Sequence, residues 1–213
     1  MKNPNKPVIS PTVSENAARY RAVRFFDSVN DLTRLPPDDG QEVAFAGRSN
    51  AGKSSAINVL TGQRQLARVS KTPGRTQLLN FFEVAPARYL VDLPGYGYAE
   101  VPNAIRQHWQ KLLERYLRER AALRGLLLLM DIRHPLTELD RQMLGWCGVR
   151  QLPVHILLTK ADKLSRGAAL TTLQQLRRTL QPHHPNVSAQ LFSALTGQGR
   201  DDVCTQLDLW LGY

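Results

Sequence analysis

A glycine-rich stretch in the first quarter of the chain places a lysine and two serines directly after an apolar run. Its spacing, G-x-x-x-x-G-K-S, is that of a phosphate-binding loop. Glycines let successive backbone N–H groups turn inward around an oxyanion, and a helix that follows directs its unpaired N–H groups at the same anion. The predicted phosphate-binding residues are Gly47, Arg48, Ser49, Asn50, Ala51, Gly52, Lys53, Ser54 and Ser55.

Two of these residues add charge and metal affinity. Lys53 offers a point charge for the β- and γ-phosphates of a nucleotide, and the Ser54 hydroxyl is a hard oxygen ligand for Mg²⁺. The context fits the motif, because an apolar run at 42–46 precedes the loop and a helical pattern at 54–60 follows it. A chance match is the alternative. The loop alone identifies neither the base nor the reaction.

The segment that directly follows the apolar run 154–158 predicts a base-recognition site. It consists of Thr159, Lys160, Ala161 and Asp162. In an open parallel sheet, the carboxyl ends of the strands border the ligand crevice. Asp162 can there accept hydrogen bonds from N1–H and the 2-amino group of guanine, whereas the N1 acceptor of adenine would repel it. The stem of Lys160 can lie over the purine face. Taken alone, the four residues also fit an ordinary helix N-cap.

The last strand pattern, residues 187–192, ends in Ser193 and Ala194. Its carboxyl end should lie on the same edge as Thr159, where the backbone N–H of Ala194 could reach guanine O6. The dipeptide has no specificity by itself, so position alone assigns Ser193 and Ala194 to nucleotide binding.

Two further segments predict contacts to a terminal phosphate. Asp92 ends the apolar run 88–91 and can hold Mg²⁺ through a water, while the N–H of Gly95 can bond a γ-phosphate. In the segment 72–77, a threonine can coordinate Mg²⁺ with its hydroxyl and bond the same phosphate through its N–H. Loss of that phosphate would release both segments. Ordinary Pro-Gly turn chemistry is the alternative.

Strand and helix patterns alternate along the chain and predict the elements that position these residues. Continuously apolar strands favour a mostly parallel sheet with helices on both faces. Residues 24–29 fit an edge strand or a helical turn, and we favour the strand. Strands are predicted at 42–46, 79–84, 88–91, 125–131, 154–158 and 187–192, and helices at 54–60, 105–117, 137–146, 167–180 and 201–211. We expect a flexible basic tail over residues 1–20 and one domain over 21–213.

The chain of 213 residues is strongly basic, with 28 Lys and Arg against 18 Asp and Glu and a net charge of +10. This excess suggests a polyanionic partner, either nucleic acid or an anionic membrane surface, and we favour nucleic acid over a basic protein without such a partner. Cys147 and Cys204 lack metal-ligand spacing and predict reduced thiols. Since no apolar run is long enough for a bilayer and no signal-peptide pattern is present, we expect a cytoplasmic protein that does not insert into membranes.

The order of the motifs resembles that of one family. GRSNAGKSS, TPGRTQ, DLPGYGYA, TKAD and SAL follow one another as in the EngB family of bacterial GTPases, within the TrmE–Era–EngA–EngB–septin-like class. The likeness runs from about Phe25 to the C-terminus. It implies an α/β P-loop NTPase fold, a Ras-like G domain with a six- to seven-stranded, mostly parallel sheet and helices on both faces. It also implies a monomeric GTPase with GTP or GDP and Mg²⁺ bound, which acts on the large ribosomal subunit precursor and whose loss affects cell division.

The resemblance also assigns individual residues. Thr76 rather than Thr72 becomes the switch threonine, so the predicted nucleotide-binding set gains Gly74, Arg75 and Thr76. The implied Mg²⁺ ligands are Ser54, Thr76 and, through a water, Asp92. The implied catalytic residues are Lys53, Thr76 and Gly95.

One position bears on the rate of hydrolysis. Tyr96 follows Gly95, where Ras-type GTPases carry the glutamine that orients the attacking water. A tyrosine cannot do that job, so we expect slow hydrolysis without a partner. Asn50 could contribute instead, since in related loops an asparagine oxygen helps to hold K⁺ beside the phosphates. A hydrogen bond within its own loop is the alternative role.

Ribosomal RNA contacts are expected from a basic helix face, formed by Arg106, Lys111, Arg115 and Arg118, and from the loop 64–75. An ordinary solvated face is the alternative for the helix. Asp131 and Arg133 also match the family pattern, and the sequence gives them no mechanistic role beyond a strand-end ion pair.

Two other classes of function remain open at this level. A P-loop kinase or ATPase would use the phosphate loop but has no use for Asp162 as a base reader. An RNA-binding protein with a vestigial nucleotide site would bind RNA equally well with GTP or GDP.

Overall fold

The computed structural model describes residues 18–67, 78–96 and 103–213, apart from the side chains at 103–106 and 108. In these ranges the strands are β1 (Arg24–Val29), β2 (Gln41–Gly47), β3 (Leu79–Ala85), β4 (Arg88–Asp92), β5 (Leu123–Asp131), β6 (Val154–Thr159) and β7 (Val187–Leu191). The α-helices are α1 (Lys53–Thr61), α2 (Asn103–Glu119), α3 (Glu138–Val149), α4 (Arg166–Leu180) and α5 (Arg200–Leu211).

These strands form one sheet in the order β1-β3-β4-β2-β5-β6-β7. β3 pairs antiparallel with both β1 and β4, and all other neighbours are parallel. The tight connection between β3 and β4 allows a hairpin, whereas parallel neighbours need longer crossovers, which helices supply. The predicted mostly parallel sheet is confirmed, and Arg24–Val29 is a strand rather than a helical turn. β2 lies at the centre, so the loop after it opens in the middle of the carboxyl edge.

Helices cover both faces of the sheet, which explains why its strands are apolar without alternation. Along β2, Ala44 and Ala46 pack in the core that contains α2, α3 and α4, and Val43 and Phe45 pack in the core with α1 and α5. The two cysteines are free and buried, one in each core. Burial raises the pKa of the Cys147 thiol to about 12, so this side chain stays protonated at neutral pH.

The edge of the sheet opposite the phosphate loop holds a buried ion pair that anchors α2. Glu42 of β2 is fully buried. It accepts hydrogen bonds from the Tyr116 hydroxyl at 2.7 Å and from Arg120 Nη2 at 2.6 Å. Because each polar group has a partner, the cost of burying the charges is offset. The C-terminal end of α2 is therefore fixed to the central strand.

Contacts at the N-terminal side begin before residue 21. Tyr20 is fully buried, and its hydroxyl donates to Asp208 of α5 at 2.9 Å. Arg19 forms an ion pair with the same carboxylate at 2.6 Å. The packed part of the chain thus includes at least two residues of the segment predicted as a tail. Among the described residues, no helix has the length and apolar character needed to cross a membrane.

Candidate nucleotide-binding site

The phosphate loop joins the central strand to α1. β2 ends at Gly47, and α1 begins at Lys53. A Cβ at Gly47 would lie 2.9 Å from the carbonyl oxygen of Leu129 on β5, so a larger residue does not fit this approach. Gly52 adopts a φ of 91°, which glycine tolerates without steric cost. The loop thereby delivers the N-terminus of α1 to the carboxyl edge of the sheet, where an anion can bind.

The loop borders an open cleft of about 1230 Å³, larger than most small-molecule pockets. The predicted phosphate loop and the segment 92–95 meet in this cleft. Its lining includes Arg48, Ser49, Asn50, Gly52, Lys53, Ser54, Ser55, Asp92, Gly95 and Lys160.

Lys53 and Asp92 face each other inside the cleft. The Lys53 ammonium contacts a carboxylate oxygen of Asp92, and each side chain is 11% exposed. Parallel pairing of β2 with β4 puts Asp92 beside Phe45, close to where the phosphate loop begins. The two charges compensate one another. A Mg²⁺–phosphate pair would offer each of them a partner of opposite sign.

The oxygen donors beside Lys53 suit magnesium. Ser54, in the first turn of α1, offers a hydroxyl, and Asp92 offers a carboxylate. Within the described ranges, no three or more Asp, Glu, His or Cys side chains come together as a metal cage. Mg²⁺ usually takes one or two protein oxygens and completes its shell with substrate phosphates and water. The donor set therefore fits a magnesium ion bound together with a nucleotide.

Hydrogen bonds join the predicted base-recognition segment, residues 159–162, to the phosphate loop. The hydroxyl of Thr159, at the end of β6, lies 2.7 Å from the carbonyl oxygen of Ala51. Lys160 follows with a left-handed φ of 58°, and its Nζ donates to the carbonyl oxygen of Asn50 at 2.8 Å. These two bonds fix the distance between the site predicted for phosphate and the site predicted for the base.

Asp162 and Ser193 meet just beyond the carboxyl ends of β6 and β7. The Ser193 hydroxyl donates to Asp162 Oδ1 at 2.6 Å, and this bond lowers the pKa of the carboxyl from its ordinary value. The Ala161 N–H donates to the carbonyl oxygen of Phe192 at 3.1 Å, which joins the two strand ends. Asp162 is thus held as an ionised acceptor, the form that guanine recognition requires. From the sequence, Ser193 could be assigned by position only, because the contact between its hydroxyl and Asp162 depends on the folded chain.

Tyr96 points away from the phosphate loop. Its hydroxyl donates to Asp140 Oδ1 on α3 at 2.8 Å, and its ring packs at the border of the core on that face. Its backbone stays near the loop, because the Ser49 N–H donates to the Tyr96 carbonyl oxygen at 2.9 Å. The Tyr96 side chain is therefore hydrogen-bonded to α3.

Part of the predicted site lies outside the described residues. Thr72, Gly74, Arg75 and Thr76 fall in the gap between 67 and 78, so their assigned roles stay predictions. The Arg106 side chain is likewise outside the description.

On α2, the predicted basic residues Lys111, Arg115 and Arg118 are exposed, and the apolar residues between them are buried. Arg115 pairs with Glu119 at 2.8 Å, and Arg118 pairs with Glu114 at 2.8 Å, in both cases along the same helix. Such exposed pairs contribute little to stability, so a phosphate could replace the glutamate in either of them.

A contact between Asp131 and Lys160 was not predicted. Asp131 ends β5, and its Oδ2 lies 3.0 Å from Lys160 Nζ. Arg133 donates to both oxygens of the same carboxylate, at 2.9 and 2.6 Å. The expected ion pair between Asp131 and Arg133 is present, and Asp131 also contacts Lys160 of the base-recognition segment.

Comparison with known proteins gives concordant matches. A family model described as "50S ribosome-binding GTPase" matches residues 42–160. The "Probable GTP-binding protein EngB" of Nitrosococcus oceani is 56% identical over 193 residues, which cover 91% of this chain and 96% of the relative. The protein of the same description from an Enterobacter species is 55% identical over 191 residues, covering 90% of this chain and 92% of its own.

Solved structures agree on the fold. A crystal structure described as a probable GTP-binding protein EngB matches with a TM-score of 0.65 at 20% identity, over 80% of this chain and 98% of that one. Era, crystallised with MgGDPNP and a segment of 16S ribosomal RNA, matches with a TM-score of 0.62 at 20% identity, over 80% of this chain and 56% of that one. At these identities the likeness concerns the α/β G-domain fold.

Proposed function

The chain belongs to the EngB family of GTP-binding P-loop GTPases, and from this premise we propose that it acts as a nucleotide-dependent switch in assembly of the large ribosomal subunit, in the bacterial cytoplasm. Its loss should disturb cell division. The observation that best supports the switch is the connection between the base-recognition segment and the phosphate loop. Thr159 and Lys160 fasten the guanine-directed Asp162 to the phosphate loop at one edge of the sheet.

In the proposed complex, each end of the nucleotide has its own binding residues. The loop N–H groups and Lys53 bind the phosphates, and Asp162 accepts hydrogen bonds from the guanine edge. Ser54 and Asp92, with Thr76, would hold Mg²⁺, and the ion would supply positive charge beside the β- and γ-phosphates.

Hydrolysis should be slow in the isolated protein. Gly95 can donate its N–H to the γ-phosphate, but Tyr96 beside it is bound to Asp140 and offers no group to orient water. We therefore expect the site to be completed by another element, either a partner on the ribosome or K⁺ held with the help of Asn50.

The ribosomal part of the proposal is supported by charge and by the family. The net charge of +10 suits a polyanionic partner, and Lys111, Arg115 and Arg118 form an exposed basic face on α2. The matching family model carries the description of a 50S ribosome-binding GTPase. Era is a fold relative whose structure contains ribosomal RNA.

Co-sedimentation tests the switch. The protein is pelleted with large ribosomal subunits, and with their immature precursors, in the presence of GDP or a non-hydrolysable GTP analogue. We expect more protein in the pellet with the analogue. Equal pelleting in both nucleotides would favour an RNA-binding protein with a vestigial nucleotide site.

Nucleotide competition tests the alternative of a P-loop kinase or ATPase. Because Asp162 is held as an acceptor, ATP should displace bound GTP far less well than GDP does. Displacement by ATP at a similar concentration would contradict guanine recognition and support that alternative.

A further inference from the structure

We propose that Asp131 is a positioning residue for nucleotide binding, because it holds the Lys160 side chain in place as a preformed platform for the purine. The inference rests on the proposed placement of the base between Lys160 and Asp162. It gives Asp131 and Arg133 a role that their sequence positions do not reveal.

The sheet brings the two residues together. Asp131 is the last residue of β5 and pairs in register with Thr159, the last residue of β6. Beyond the ladder, the Ile132 N–H still donates to the Thr159 carbonyl oxygen at 3.0 Å. Lys160 therefore leaves its strand directly beside Asp131, and its left-handed φ of 58° sets the direction of the side chain.

The far end of Lys160 is held at two points. Its Nζ lies 3.0 Å from Asp131 Oδ2 and donates to the carbonyl oxygen of Asn50 at 2.8 Å. A free lysine side chain samples many rotamers, and a ligand that packs on the stem must remove this freedom. Contacts that order the stem beforehand reduce this cost of binding.

Asp131 is itself fixed by Arg133. The guanidinium donates to Oδ1 at 2.9 Å and to Oδ2 at 2.6 Å, and the Arg133 backbone N–H donates to Oδ1 at 3.1 Å. This fork sets the plane of the carboxylate and leaves Oδ2 facing the Lys160 ammonium. The arrangement runs from Arg133 through Asp131 and Lys160 to the phosphate loop.

Charge alone predicts the opposite effect on binding. A carboxylate near a polyphosphate ligand repels it, so removing the charge of Asp131 should strengthen nucleotide binding if Coulomb interactions were the whole effect. A positioning role predicts weaker binding on the same substitution. Whether Kd rises or falls in the variant therefore distinguishes a positioning role from charge repulsion alone.

The test compares Asp131→Asn with the parent in GDP and IDP binding, measured by competition with a fluorescent nucleotide. We expect Kd to rise about twofold to fivefold for both nucleotides, the effect of losing a partly exposed ion pair. IDP lacks the 2-amino group that Asp162 reads, so an equal change for both locates the defect in the platform. Glu138→Gln, which removes an exposed carboxylate in the first turn of α3, is the matched control and should leave Kd unchanged or slightly lower.

A comparison in the Lys160→Met variant tests whether Asp131→Asn acts through a general folding defect. Lys160→Met keeps the apolar stem but removes the ammonium, so it should weaken binding by itself. Adding Asp131→Asn to it should then have little further effect, because the contact is already lost. Unchanged or tighter binding by Asp131→Asn, or an equal loss in the Lys160→Met background, would overturn the inference. If the parent itself fails to bind GDP, the proposed function is what fails.

Discussion

The Tyr96 hydroxyl donates to Asp140 across 2.8 Å and so joins the residue after Gly95 to the first turn of α3. Asp140 is almost fully buried, and its other oxygen accepts from the N–H and hydroxyl of Thr137, as the capping box of that helix. The segment expected to sense the γ-phosphate is therefore fastened, at its first residues, to an element of the core.

Tyr96→Phe should lower the free energy of unfolding by about 1 kcal/mol, because the variant loses one partly buried hydrogen bond. Urea denaturation of the nucleotide-free protein measures this change. GDP affinity should stay near that of the parent, since the ring remains and the hydroxyl is directed at α3. An unchanged denaturation midpoint would show that the bond does not stabilise the fold.

Asp162→Asn should weaken GTP binding by at least about a hundredfold and should admit xanthosine triphosphate, because an amide can donate to the xanthine carbonyl. Competition binding with both nucleotides measures the change. Ser193→Ala keeps the carboxylate but removes its 2.6 Å hydrogen bond, so it should cause a smaller loss without the change in preference. If Asp162→Asn binds GTP like the parent and ignores the xanthine nucleotide, another residue reads the base.

Potassium should accelerate GTP turnover relative to sodium at equal ionic strength, and Asn50→Ala should abolish the difference. K⁺ near the β–γ bridge would stabilise charge that develops in the transition state. Asn50 adopts a φ of 63°, where alanine is strained, so Asn50→Gly is the matched variant that loses the oxygen without strain. Equal turnover of the parent in both salts would discard the potassium site.

Replacing Lys111, Arg115 and Arg118 by glutamine should weaken ribosomal RNA binding and lower its salt dependence by roughly one in slope per lost phosphate contact. Filter binding over a range of salt concentrations gives that slope. Glu114→Gln with Glu119→Gln removes the helix partners of the two arginines and should strengthen binding. No change in either variant would locate the RNA surface elsewhere.

Stability should fall as the pH drops below 6.5, because burial lowers the pKa of His155 from that ordinary value. The unfolded chain then binds a proton that the folded chain resists, so the contribution is complete above pH 6.5 and is lost as the pH falls toward the lowered pKa. His155 Nε2 lies 2.7 Å from Gln190 Oε1, which only accepts, so Nε2 carries the hydrogen of the neutral ring. Urea midpoints across this range should decline less in His155→Gln than in the parent, with His183→Gln as the exposed control.

Three features of the protein follow from its sequence alone: the phosphate loop, the order of the nucleotide motifs and the alternation of strands and helices. These features are local. Glycine is required at 47 and 52 by the backbone geometry within and beside the loop. Continuous apolar runs indicate strands that are buried on both faces of a sheet. They were enough to identify the family and the mostly parallel fold.

Which polar side chains meet depends on how the chain folds. Ser193 reaches Asp162 across 31 positions of the chain, and Tyr96 reaches Asp140 across 44. Asp131 contacts Lys160 because β5 and β6 are neighbours in register, a pairing that no local pattern records. The physical reason is that sheet order brings the ends of distant strands to one edge, where hydrogen bonds form between residues whose sequence surroundings carry no sign of each other.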